Sequence, residues 1–129
     1  MKKMIPLLTM LALLSVRAFA EDAKSAWPAF CEEWMHKLQA REERNVSLIK
    51  WEDDQSNSVL GSYIGYSHQH ECILKNDDGP SPVGKITYLE VRYEKRGANK
   101  EEAASSPAKA IETTEVTEIF RFSKGAWVY

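Results

Sequence analysis

The fold is decided by two neighbouring stretches, AWPAFCEEWMHKLQAREER at residues 26–44 and VLGSYIGYSHQHECIL at residues 59–74. In the first stretch the apolar side chains recur with the period of one helix face. They are Trp27, Phe30, Cys31, Trp34 and Leu38. The second stretch is rich in Tyr and Ile and its period falls to two, which predicts a long strand. A helix followed by strands indicates an α+β domain.

Four shorter strands surround this long one in the prediction. The predicted helix covers Ala26–Arg44, and the predicted strands are Val46–Trp51, Val59–Leu74, Lys85–Lys95, Thr113–Phe122 and Ala126–Tyr129. Polar turns separate the strands, and the longer loop Gly97–Ala110 is expected to hold at most one helical turn. Because each strand can pair with its neighbour in sequence, an antiparallel meander is the simplest topology. We expect one N-terminal amphipathic helix packed on a curved antiparallel sheet of four to five strands.

The N-terminus has the three parts of an export signal in the expected order. Met1-Lys2-Lys3 is a positive start, residues 4–16 are predominantly apolar, and Ala18-Phe19-Ala20 fits the small-x-small rule of signal peptidase. The apolar stretch is shorter than the roughly 20 residues needed to span a bilayer. We therefore expect cleavage between Ala20 and Glu21, which leaves residues 21–129 as a single domain in the periplasm or the medium. Retention of the segment as a membrane anchor is the alternative.

Charge and length exclude several classes of protein. Three of the 17 basic residues and none of the 19 acidic residues lie in the export signal, so the remaining 109 residues have a formal net charge of −5. A mildly acidic chain without a basic run is a poor ligand for nucleic acid or anionic lipid. The length allows one domain and excludes repeat arrays and multidomain enzymes. We expect a protein or a small molecule as the partner, and no membrane contact beyond the export signal.

The chain ends with IFRFSKGAWVY at residues 119–129, where a strand reaches a glycine turn and a tryptophan begins the last strand. This ending resembles the terminal hairpin of cystatin-like and NTF2-like α+β rolls, and the resemblance implies the same fold. The Gln-x-Val-x-Gly hairpin of protease-inhibiting cystatins is missing from the sequence. The Asp/His pair of NTF2-like isomerases has no counterpart either. The resemblance therefore transfers no functional residue to this chain.

Two cysteines, Cys31 and Cys72, are the only ones in the sequence. In an exported chain such a pair most often forms a disulfide, which here would join the helix to the long strand. The alternative is a zinc site, because His68, His70 and Cys72 alternate and share a face of an unbroken strand. Cys31 or His36 of the helix would then complete a tetrahedral ligand set. We expect the disulfide, and therefore no metal and no cofactor.

Motifs typical of catalytic, phosphate-binding and calcium-binding sites are missing from the sequence. There is no Gly-x-Ser-x-Gly elbow and no glycine-rich phosphate loop. Ser67 and His68 are adjacent on a strand, which points their side chains to opposite faces. The acidic turns at residues 52–54 and 76–79 lack the ligand spacing of a calcium loop. An enzyme is therefore the less favoured class.

Aromatic and imidazole side chains form a candidate binding face on the predicted strands. Its members are Tyr63, Tyr66, His68, His70 and Tyr88, with Glu90 beside them. Aromatic side chains exposed on a rigid sheet are effective contact residues. The leading hypothesis is a non-enzymatic binding domain, periplasmic or secreted, of unknown ligand. The first alternative is a small-molecule-binding or catalytic NTF2-like pocket, and the second is a zinc-binding domain.

Overall fold

The computed structural model describes the backbone from Leu8 to Tyr129 and the side chains from Asp22 to Tyr129. The elements are α1 (Leu8–Ser47), β1 (Glu52–Asp53), β2 (Val59–Lys75), β3 (Val83–Gly97), α2 (Lys100–Ser105), β4 (Lys109–Ser123) and β5 (Ala126–Val128). The strands form one open sheet in the order β1-β2-β3-β4-β5. The α+β class, the N-terminal helix and the antiparallel meander are therefore confirmed.

The predicted export signal coincides with the part of the chain that is least described. Its positive start, Met1-Lys2-Lys3, lies outside the described residues, and so do the side chains of residues 4–21. Within the described part of the chain, no helix combines the length and the apolar character needed to cross a membrane. Cleavage between Ala20 and Glu21 stays a prediction.

The predicted strand Val46–Trp51 is wrong, because α1 continues through its first residues. The helix ends at Ser47, and the Leu48 amide still donates to the Arg44 carbonyl oxygen at 3.1 Å. Pairing with β2 begins only at Glu52. Local helical hydrogen bonds therefore outweigh the β propensity of this short apolar run.

The chain from Gly97 onward agrees more closely with the prediction. The loop after β3 contains one short helix, α2, and the Asn99 side chain caps it by accepting from the Glu102 amide at 2.9 Å. The hairpin between β4 and β5 turns at Lys124 and Gly125, which have φ values of 53° and 79°. Positive φ at both central residues is the geometry of a two-residue type I′ turn. The expected tight hairpin is confirmed.

The chain divides into two compact units, which we describe separately. Unit 1 contains the chain up to Glu32, Cys72–Ile86 and Glu118–Tyr129, and unit 2 contains Glu33–Glu71 and Thr87–Thr117. The helix α1 and the strands β2, β3 and β4 each contribute residues to both units.

The core of unit 1 is aromatic. The Trp27 ring lies 4.8 Å from that of Trp127 and 6.2 Å from that of Phe120, and Phe122 packs against Trp127 at 5.4 Å between ring centroids. The Trp127 indole N–H donates to the Ala23 carbonyl oxygen at 3.0 Å. Because aromatic rings bury large apolar areas, this cluster holds β5 against the part of α1 that contains Ala23 and Trp27.

Cys31 and Cys72 form a disulfide in unit 1, with their Cα atoms 6.5 Å apart. The expected bridge between helix and long strand is thus present. The last strand was predicted to reach Tyr129, but the Tyr129 side chain is 82% exposed whereas Trp127 is buried. The strand β5 ends at Val128, so the alternation of a strand does not extend to the last residue.

Unit 2 packs the second half of α1 against β2 and β3. Leu38 and Val91 are buried there. Gly61 admits the side chains of Ile49 and Trp51, since a Cβ atom at residue 61 would lie 2.7 Å from the Trp51 ring. The segment that follows the long helix therefore approaches β2 closely.

Candidate binding cleft

An open cleft of about 490 Å³ lies in unit 2, where β2 and β3 meet the helix α1. Its lining consists of aromatic, neutral polar and charged side chains. They are Glu42, Tyr63, Tyr66, Ser67, His68, Gln69 and Tyr93. A volume of several hundred Å³ is in the range of ligand-binding sites.

Glu42 reaches the cleft from α1, one helical turn after the buried Leu38. Its Oε1 atom accepts a hydrogen bond from the Tyr66 backbone amide at 2.8 Å. One turn further, Asn45 Nδ2 donates to the Ile64 carbonyl oxygen at 2.9 Å. Two helix side chains thus bond the β2 backbone directly.

The hydrogen bonds from Glu42 and Asn45 lie where they do because β1 is only two residues long. It pairs with β2 only at Val59 and Leu60. Backbone groups at alternate residues of a strand point to the same edge, so Ile64 and Tyr66 follow Leu60 on the edge that β1 covers. Since β1 has already ended there, Glu42 and Asn45 satisfy groups that a longer neighbouring strand would have paired.

Gly65 gives Glu42 the space to make its bond. A Cβ atom at residue 65 would lie 2.7 Å from Tyr93 Cε2 and 2.9 Å from Glu42 Cδ, both too close for a real side chain. The glycine is therefore required by close approach of the carboxylate and the ring.

Two tyrosines form the aromatic wall of the cleft. The rings of Tyr63 and Tyr93 stack with centroids 5.2 Å apart and an interplanar angle of 26°. Burial raises the pKa of the Tyr63 phenol, and the negative charge of Glu42 and the neighbouring Tyr93 raise it further. Tyr63 is therefore a neutral phenol at physiological pH and can donate a hydrogen bond.

Ser67 uses its hydroxyl within the protein. Its Oγ donates to the Gln69 carbonyl oxygen at 2.7 Å and accepts from the Leu89 amide at 2.9 Å. His68 is exposed beside it, and His70 Nδ1 lies 2.8 Å from the His68 carbonyl oxygen. The proton of the Ser67 hydroxyl therefore points to a backbone carbonyl rather than to an imidazole.

The cleft unites only part of the candidate face derived from the sequence. Tyr63, Tyr66 and His68 line it. Tyr88 is buried, with its ring centroid 5.9 Å from that of Tyr66, and His70 is exposed outside the lining.

Sequence reasoning missed Glu42, Ser67, Gln69 and Tyr93 as members of the site. A signal existed for Glu42, which follows Leu38 by four residues and so shares its helix face. As a charged residue it was not counted with the apolar helix face. Nothing in the local pattern indicated that residue 42 would bond the backbone 24 residues further along.

The zinc alternative required cysteine thiolates. Both sulfur atoms are joined in the disulfide, so neither serves as a ligand while that bond is intact. Among the described residues, no group of three or more His, Cys, Asp and Glu side chains is placed to hold a metal ion.

The cleft offers one carboxylate, three phenol rings, an imidazole and an amide to a ligand. These groups suit recognition through charge, ring stacking and hydrogen bonds. Comparison of the chain with known protein families, curated proteins and solved structures gave no match.

Proposed function

We propose that this chain is an exported, non-enzymatic binding domain and that the cleft of unit 2 is its binding site. The observation that carries the proposal is the lining itself. Aromatic rings and a carboxylate face solvent, while the Ser67 hydroxyl donates its proton to a backbone carbonyl. A nucleophilic serine needs a base within hydrogen-bond reach, and Ser67 has a carbonyl there instead.

The open shape of the cleft supports a ligand that is held from one side. About 490 Å³ accommodates a side chain of another protein or a small molecule. Preformed walls favour binding because little conformational entropy is lost when the ligand arrives. Here the wall is preformed by the Tyr63–Tyr93 stack and by the bond from Tyr66 to Glu42.

Export to the periplasm or the medium is part of the proposal. What supports it is the disulfide, since such bonds persist mainly in oxidising compartments. The intact mass of the protein recovered from the periplasm or medium should correspond to residues 21–129. A full-length mass confined to the membrane fraction would contradict cleavage after Ala20.

We also propose that the fold is a roll of the cystatin-like or NTF2-like kind. The N-terminal helix, the meander and the terminal hairpin support it. An experimental structure in which the sheet does not wrap around α1 would contradict this part.

Nuclear magnetic resonance can test the site directly. A fragment set of amines, carboxylates, sugars and blocked tripeptides is titrated into ¹⁵N-labelled protein purified from the exporting cell. We expect shifts of the backbone amides at residues 63–69, and we expect Tyr63→Leu to reduce them because it removes the stacked wall. Tyr129→Phe, outside the cleft, should leave them unchanged.

Two results would overturn the proposal. One is binding that maps entirely outside the cleft, with Tyr63→Leu indistinguishable from the unmodified protein. The other is chemical conversion of a bound fragment during the titration, which would favour the catalytic alternative.

A further inference from the structure

We infer that the ligand of this cleft carries an ammonium or guanidinium group, bound jointly by the Glu42 carboxylate and the tyrosine rings. The inference rests on the proposed function, because it names the chemical class that the same site recognises. It is carried by the charge of Glu42, by the position of the rings and by the net charge of the chain.

Glu42 is a half-buried carboxylate without a counter-charge in the part of the chain that the structure describes. Its one hydrogen bond comes from the Tyr66 amide, and no basic side chain lies within ion-pair distance of it there. The helix explains this, because the positions one turn away from Glu42 are not basic. They are Leu38, Gln39, Asn45 and Val46.

Some other carboxylates of unit 2 are paired with bases. Glu33 lies 3.4 Å from Lys37 on the same helix, and Asp54 contacts Arg96. A partly desolvated charge is stabilised by an opposite charge more than an exposed one is. The Glu42 oxygen that does not accept from the Tyr66 amide therefore binds a cation more strongly than an exposed surface carboxylate does.

The rings beside Glu42 favour the same ligand. A cation over the face of a tyrosine ring is attracted to its π electrons, and the attraction grows where water is excluded. Tyr63 and Tyr93 present a stacked pair next to Glu42, and Tyr66 adds a third ring. A carboxylate combined with aromatic faces selects a cation over a neutral or anionic group of equal size.

The charge of the exported chain acts in the same direction. Residues 21–129 have a formal net charge of −5, so the long-range field attracts cations and repels anions. His68 is the basic group of the lining, and it is exposed rather than bonded to Glu42. It does not neutralise the carboxylate.

The test uses three probes of similar size and different charge: n-butylammonium, n-butylguanidinium and butyrate, with n-butanol as the neutral reference. We expect both cations to shift the amides at residues 63–69, and butyrate and butanol to do so at least about tenfold more weakly. Added salt should weaken the binding of the cations.

Glu42→Gln is the decisive variant, because the glutamine oxygen can still accept from the Tyr66 amide while the charge is lost. We expect it to weaken binding of both cations by about tenfold or more. Glu43→Gln removes the same charge from the exposed neighbouring residue and should leave binding unchanged. Unchanged melting of both variants shows that the fold is retained.

The outcomes separate this inference from the proposed function. Equal binding of butanol and the cations, or unchanged binding in Glu42→Gln, overturns the cation inference and leaves the cleft as a binding site. Failure of every probe and of the full fragment set to shift the cleft overturns both. A blocked lysine or arginine tripeptide that binds tighter than the free cations identifies a protein side chain as the source, and the reverse order identifies a free amine.

Discussion

At the scale of single residues, glycines decide how closely the helix approaches the sheet. Gly65 leaves room for Glu42 and Tyr93 in unit 2, and Gly84 leaves room for Trp27 in unit 1. An alanine Cβ at residue 84 would lie 2.8 Å from Trp27 Cε3 and closer to two further ring atoms. Because Trp27 is itself buried among aromatic rings, it has little space to move.

Gly84→Ala should therefore destabilise the protein by about 1–3 kcal/mol, the usual cost of overpacking a dense core. Denaturant unfolding followed by tryptophan fluorescence measures the change. Gly79→Ala is the matched control, because the nearest atom to its Cβ is the Asn76 carbonyl oxygen at 3.4 Å. It should change stability by less than about 0.5 kcal/mol. Equal stability of the two variants would contradict the close approach of Trp27.

The ionisation of Tyr63 predicts an alkaline limit of stability. Its folded-state pKa lies above the ordinary value of 10.0, chiefly through burial and then through the charge of Glu42. A folded state that holds its proton more tightly is favoured below the unfolded pKa and loses this advantage as the pH rises through the folded pKa. Stability should therefore fall above about pH 10.

Tyr63→Phe should reduce this fall and remove phenolate absorbance at 295 nm that develops above about pH 10. Tyr129 also has a raised pKa, through its hydrogen bond with Glu118, so the difference between variant and unmodified protein is the quantity to compare. If the absorbance lost in the variant develops around pH 10, as for an exposed tyrosine, Tyr63 is not in a buried, negatively charged environment.

At the scale of elements, the spacing of apolar residues along the chain predicted those features that depend on residues close together in sequence. The long strands, the apolar helix face and the Lys124–Gly125 turn all follow from residues near one another in sequence. The strand predicted at Val46–Trp51 was wrong because its few β-branched residues cannot override a helix that is already propagating. The site was predicted only in part, since Glu42 and Tyr66 meet through a contact over 24 residues that no local period encodes.

The strand β5 is short, and its stability comes from one side chain. Trp127 is buried against Trp27 and Phe122, whereas its neighbour Val128 is 44% exposed. Trp127→Ala should destabilise the protein by about 3–5 kcal/mol, as deletion of a buried aromatic ring does. Val128→Ala, on the opposite face, should cost less than about 0.5 kcal/mol. Thermal unfolding monitored by circular dichroism distinguishes them, and similar melting temperatures would show that β5 is dispensable.

At the scale of the whole molecule, the disulfide acts on the unfolded chain as much as on the fold. It closes a loop of 41 residues, and loop-closure entropy assigns such a loop about 4 kcal/mol at most. For a single domain, typically stable by roughly 5–15 kcal/mol, this is a large fraction. The redox state of the compartment therefore affects how much folded protein is present.

Cys72→Ala should lower the free energy of unfolding by about 4 kcal/mol or somewhat less. Cys31→Ala should give a similar loss, and the double variant should lose no more than either alone, because both single changes break the same bond. His68→Ala and His70→Ala, which lie outside the bridge and are exposed, should each cost less than about 0.5 kcal/mol. Losing any ligand of a metal site instead removes much of the binding energy that stabilises the fold. The contrary result would be large and equal losses of stability from Cys72→Ala, His68→Ala and His70→Ala, reproduced by a chelator but not by a reductant. It would show that a zinc site, and not the disulfide, stabilises the fold.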